Sequence, residues 1–215
     1  MIQDNCKNIL CFGDSNTFGS NPSGGRWDRT KRWPGRLQQL LGEDYYVIEE
    51  GCGGRTTSFD DTLELDKNGR RALPVALATH KPLDLVIIML GTNDMKHRFS
   101  ALPCDVARGA GELVQLVQSY PYGDAYPIPK VLLIAPIWLG EHIEDSPCTG
   151  FSHEAHAVSK QLAPWFEKQA QAHGCLFLDA AKIAGPSAKD QLHMEEDGHR
   201  ALAEAVAALI QRELR

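Results

Sequence analysis

Several things are missing from this chain of 215 residues, and each absence narrows what it does. The longest uninterrupted apolar run, Leu85 to Leu90, is far short of the roughly 20 residues that cross a bilayer. The 22 basic side chains are outnumbered by 28 acidic ones, a formal charge of -6, and they form no cluster. Neither nucleic-acid phosphates nor an anionic membrane is therefore an expected partner. No C-x-x-C pair occurs among Cys6, Cys11, Cys52, Cys104, Cys148 and Cys175, which read as reduced, mostly buried thiols. The nucleotide loops G-x-x-x-x-G-K-[ST] and G-x-G-x-x-G are absent, and no serine stands in a G-x-S-x-G elbow. Residues 1 to 10 lack the basic start and long apolar stretch of a signal peptide, so a cytoplasmic protein is expected.

With 19 Gly and 12 Pro the chain is too poor in breakers for a linker-rich protein, and one domain over 1–215 is the natural reading. Four apolar runs read as strands: Asn8 to Gly13, Tyr45 to Gly51, Asp84 to Gly91 and Lys130 to Pro136, with a shorter fifth at Cys175 to Asp179. Helical spacing fills the gaps, at Trp33 to Leu41, Arg70 to Thr79, Asp105 to Ser119, His153 to His173 and Gly198 to Leu214. Pro164 is expected to kink or divide the fourth of these. Alternation of this kind, with strands apolar on both faces, predicts a five-stranded parallel sheet inside a three-layer α/β/α sandwich, flavodoxin-like in type.

In such sheets ligands bind beyond the carboxyl ends of the strands. There the sequence places Ser15 after the first run, a glycine block Gly51-Cys52-Gly53-Gly54 after the second and Asn93 after the third. Singly, each reads as a turn or cap residue. Together they supply a nucleophilic hydroxyl and donors for a developing oxyanion, the needs of acyl transfer. A base is also required, and His193, in Asp190-Gln191-Leu192-His193, is the best of eight histidines because one tight turn sets the Asp190 carboxylate against its ring. His199 is the rival, expected instead in the first turn of the last helix with Asp197 as its N-cap. The histidines of His153-Glu154-Ala155-His156 are three residues apart where a zinc helix needs four, so no metal and no cofactor is expected. Trp138 and Phe151, in a loop-like stretch, are candidate walls of an acyl pocket, although aromatics more often serve ordinary packing.

The blocks FGDSNTFG, GCGGRTT, GTND and DQLH, in this order, resemble those of the SGNH (GDSL) hydrolases. The segments RWPGRL, VIEEGCGGRTTSFDD, ATHKPLDLVIIMLGTND and PKVLLIAP are similar to the arylesterase and acyltransferase subgroup, so the likeness spans most of the chain. It implies the SGNH hydrolase fold, with Ser15 as nucleophile, His193 as base and Asp190 as the residue that orients it. It further implies an oxyanion hole of the Ser15 and Gly54 backbone N–H groups and the Asn93 amide. The chain departs from the pattern at Asn16, where leucine or isoleucine is frequent, and at Gln191, where glycine is frequent.

The expectation is a serine esterase acting on short acetyl-type esters, aryl esters included. The resemblance adds acyl transfer to an alcohol acceptor and association into a homo-oligomer. A carbohydrate O-acetyl esterase with the same triad is the first alternative. A non-catalytic binding protein, its strand-end polar residues serving as caps, is the second.

Overall fold

The computed structural model describes residues 6–214. Five parallel strands, β1 (Lys7–Gly13), β2 (Tyr45–Gly51), β3 (Leu85–Met89), β4 (Lys130–Ala135) and β5 (Leu176–Asp179), form one sheet in the order β2-β1-β3-β4-β5. This is the doubly wound, flavodoxin-like order. The register sets Gly13 beside both Gly51 and Met89, so β1, β2 and β3 end level with one another.

Strand side chains alternate between two cores. Leu10, Phe12, Val86, Ile88 and Leu133 meet α3 (Gly69–His80), α4 (Pro103–Ser119) and α6 (Leu162–His173) on one face. Ile9, Cys11, Leu85, Ile87 and Ile134 meet α2 (Trp33–Leu41) and α7 (Glu196–Glu213) on the other. Every residue of β3 is buried, which is why its run shows no polar alternation. Each such aliphatic side chain contributes about 1.5–3 kcal/mol by leaving water. The result is the three-layer sandwich expected from the strand pattern. Among the described residues no helix is long and apolar enough to cross a membrane.

The helix expected over 153–173 is two helices, α5 (Glu154–Ser159) and α6, and the break falls at 160–161 rather than at Pro164. Pro164 sits in the first turn of α6, where an amide has no intrahelical acceptor to lose. Glu195, not Asp197, occupies the N-cap of α7, and Asp197 lies within the helix's first turn. A four-residue helix at the end of β1, α1 (Ser15–Phe18), was too short to leave a periodic signal.

Candidate active site

Strand order reverses between β1 and β3, and beyond the carboxyl ends of the strands at such a point lies the usual ligand crevice. Ser15 opens α1 at that place, with Asp14 Oδ1 capping the turn by accepting the Asn16 N–H at 3.0 Å. The turn is tight enough that a Cβ on Gly13 would lie 2.1 Å from Thr17 Oγ1.

Beyond β2 the chain reaches Gly54 with φ +79°, a left-handed conformation that favours glycine. Arg55 fixes this loop from below. Its guanidinium donates to the Gly13 carbonyl at 2.9 Å and to the Glu50 carbonyl, and it stacks on the Phe12 ring. Farther on, the Thr57 N–H and hydroxyl both donate to the Asp94 carboxylate, tying the loop after β2 to the end of β3. Burial lifts the Asp94 pKa to about 7. Asn93 stands beside it and donates one amide hydrogen to the Arg55 carbonyl at 3.1 Å. An amide nitrogen carries two hydrogens, so the second remains for the cleft. Among the described residues no carbonyl takes up the N–H of Ser15 or of Gly54.

On the opposite wall Asp190 and His193 form a buried pair. Asp190 Oδ1 accepts the Leu192 and His193 amides at 3.1 and 3.0 Å, while Oδ2 lies 2.6 Å from His193 Nδ1. Burial opposes a charge on the imidazole, but the Asp190 hydrogen bond, then the Cys148 thiol, outweigh it and lift its pKa to about 9. Burial likewise works against the Asp190 carboxylate, and the bonds from His193 and Leu192 override it and hold its pKa below the ordinary value. Gln191 turns the loop with φ +60°, which explains why glycine suits this position, and its side-chain oxygen accepts the His142 N–H at 3.3 Å. Asn16 fastens this loop to α1: its Oδ1 accepts the Met194 N–H at 3.0 Å and its Nδ2 donates to the Leu192 carbonyl at 3.4 Å. A single side chain thus joins the turn of Ser15 to the loop of His193.

Ser15, Gly54, Asn93, Phe151 and His193 line one cleft of about 280 Å³. Ser15 Oγ and the imidazole face this space with no hydrogen bond between them, a gap that such pairs commonly close around substrate. Phe151 forms an apolar wall. Trp138 is not part of the lining: it lies on the surface, 42% exposed, with the Lys160 ammonium over its ring. His199 is also elsewhere, wholly buried in the first turn of α7, where its Nδ1 accepts the Trp33 N–H at 3.3 Å at the start of α2. Burial, with the charge of His193 nearby, pushes its pKa down to about 4. The roles of Arg55, Thr57, Asp94 and Asn16 escaped a reading centred on reacting groups, although all four sit inside the recognised blocks.

A parallel sheet carries this cleft at its switch point, and its family and relatives make the class that of the carboxylic ester hydrolases. The model of the GDSL-like Lipase/Acylhydrolase family matches residues 11–201, and the chain belongs to that family. It is 38% identical to the solved M. smegmatis aryl esterase, with a TM-score of 0.89 over 96% of this chain and 99% of that one. It is 36% identical to Est24, a carbohydrate acetylesterase from Sinorhizobium meliloti, again with a TM-score of 0.89 and the same shares covered. An acetylxylan esterase of Xylanibacter ruminicola is 29% identical over 94% of this chain, which spans only 42% of that longer protein. The non-catalytic alternative falls away with this membership.

Proposed function

We propose that the chain, acting as one catalytic domain, hydrolyses short-chain carboxylic esters through acylation of Ser15. The serine oxygen bonds to the ester carbonyl carbon as His193 takes its proton, and the imidazolium returns that proton to the departing alkoxide. Water then gives a proton to the same imidazole, attacks the acyl carbon and releases the acid and free serine. Asp190 keeps the proton of the resting ring on Nδ1 and steadies the imidazolium. The backbone N–H groups of Ser15 and Gly54 and the second Asn93 amide hydrogen receive the oxyanion.

The observation that carries this reading is the single cleft shared by Ser15, Gly54, Asn93 and the Asp190-paired His193. Phe151 is an apolar wall against which a small acyl group of acetyl type packs. Aryl acetates fit an open cleft of this kind. A second reading, a carbohydrate O-acetyl esterase with the same triad, is favoured by a polar lining of Ser20, Glu64, Lys96 and Thr149 and by the names of two of the relatives. Transfer to an alcohol needs only that the acceptor replace water at the acyl-serine stage.

The test is Ser15→Ala. The variant is expected to keep its circular dichroism and lose both turnover of p-nitrophenyl acetate and labelling by a fluorophosphonate. Full labelling of the variant would remove Ser15 from the mechanism. A panel of acetylated sugars beside aryl acetates, with and without added alcohol, then separates the readings.

A further inference from the structure

Ester hydrolysis as proposed gives no task to Cys148, yet its thiol stands at the heart of the site. The residue is half-buried, free of any disulfide, and lines the cleft beside Ser15 and His193. Its Sγ, a ring nitrogen of His193 and a carboxylate oxygen of Asp190 all lie within 4.8 Å of one another. Two loops hold it there. Ser146 Oγ donates to the Asp190 carbonyl and accepts the Cys148 N–H at 3.1 Å, so the thiol's loop is pinned to the backbone of the carboxylate it approaches.

A thiolate, an imidazole and a carboxylate together are the donor set of zinc and similar thiophilic ions. Magnesium and calcium, which take six or more oxygens, find no such set here. A tetrahedral ion with metal–sulfur near 2.3 Å and metal–nitrogen near 2.0 Å spaces those donors about 3.5 Å apart. The donors here lie within 4.8 Å of one another, so a closing of about an ångström reaches that spacing. Asp190 Oδ1 is committed to two backbone amides, whereas Oδ2 has the imidazole as its one partner, a bond that a metal shared by both groups would replace. The three donors are spaced 42 and 3 residues apart along the chain, which matches no metal motif, so the sequence did not join Cys148 to the Asp190–His193 pair.

From this we infer that Cys148, His193 and Asp190 form a binding site for a thiophilic divalent cation of the Zn²⁺ class, and that its occupation switches the esterase off. On binding, the thiol and the imidazolium each release a proton to solvent as the sulfur–metal and nitrogen–metal bonds form, and Asp190 Oδ2 exchanges its hydrogen bond with the ring for the metal. The inhibition rests on the proposed use of His193 as base; the binding does not.

The test titrates the untagged full chain with ZnCl₂ by calorimetry and with Co²⁺ by near-ultraviolet absorption. One Zn²⁺ per chain is expected, with a thiolate-to-cobalt band and a loss of aryl acetate turnover that tracks occupancy and is restored by EDTA. Cys148→Ser keeps the side chain's approximate bulk and removes the soft donor. It should lose more affinity than the roughly 10–100-fold typical of an outer-shell partner, lose the cobalt band, and shed zinc sensitivity in whatever turnover remains. Ser15→Ala should bind Zn²⁺ like the parent chain. Unchanged affinity in Cys148→Ser, or a cobalt band that persists there, overturns the site. Binding at Cys148 without inhibition overturns the switch. An inert parent chain that still binds Zn²⁺ through Cys148 upholds the site and sinks only the esterase reading.

Discussion

Asp190→Asn is the substitution that probes the mechanism most closely, because asparagine has the same shape and reverses the polarity of one atom. In the parent chain Oδ1 accepts two amides and Oδ2 faces the Nδ1 proton of His193. If the asparagine oxygen keeps the two amides, its nitrogen points at Nδ1 as a donor. The ring must then carry its proton on Nε2, the nitrogen that has to be bare to accept one from Ser15. If the amide flips, a donor faces two backbone donors in a buried place, at about 1–3 kcal/mol. The first arrangement disables the base; the second keeps the tautomer but carries that cost, so the first is the one the buried loop favours. A wrong tautomer in a triad costs about 10⁴-fold in kcat, and a KM little changed would mark the loss as one of transition-state stabilisation. Initial rates on p-nitrophenyl acetate at pH 7, with circular dichroism and thermal melts on the same samples, measure both quantities. A variant that melts like the parent and retains more than about a tenth of its kcat would refute the assignment, because the one arrangement that leaves His193 competent sets a buried donor against two others and must lower the melt.

The pH dependence of activity and of stability should run in opposite directions. A base with a pKa of about 9 is neutral in about one molecule in a hundred at pH 7, so kcat/KM should climb through pH 9; a profile flat from pH 7 to 9 would contradict it. Because that folded pKa is above the unfolded value, the pair's stabilisation is full below about pH 6.5 and is lost as pH rises through 9, a decline that melts should show in the parent and not in Asp190→Asn. Asn16→Leu restores the residue frequent in the family but strands the buried Met194 N–H, so about 1–3 kcal/mol of stability should go, with kcat falling more than KM rises; an unchanged melt would deny the clasp any weight.

All five strands were legible to within a residue or two, β3 most plainly because burial on both faces leaves a run such as LVIIM with no polar interruption. The strand-end residues were legible for a different reason: polar groups and glycines gathered after apolar runs are chemically conspicuous. The errors fell where local sequence is a poor guide. Pro164 resembles a breaker anywhere in a helix, and only its place in the first turn makes it harmless. Asp197 is a good N-cap by type, yet the loop enters α7 two residues earlier. Trp138 was judged by chemistry, and nothing local shows which way a loop aromatic faces. Asn16 stood out only as a departure from the family pattern and Cys148 only as one thiol of six, since their partners lie 178 and 45 residues away in the chain and only the fold supplies the meeting.

The long reach of Asn16 bears on how the enzyme comes into being. Ribosomal synthesis delivers the α1 turn well before the loop to which it is clasped, so a nascent chain displays its hydroxyl for most of its elongation with neither imidazole nor clasp at hand. Esterase activity should therefore arise abruptly near the close of translation, and a ribosome-stalled product ending short of the fifth β-to-α crossing, into α7, should be chemically silent however well its first four strands have collapsed.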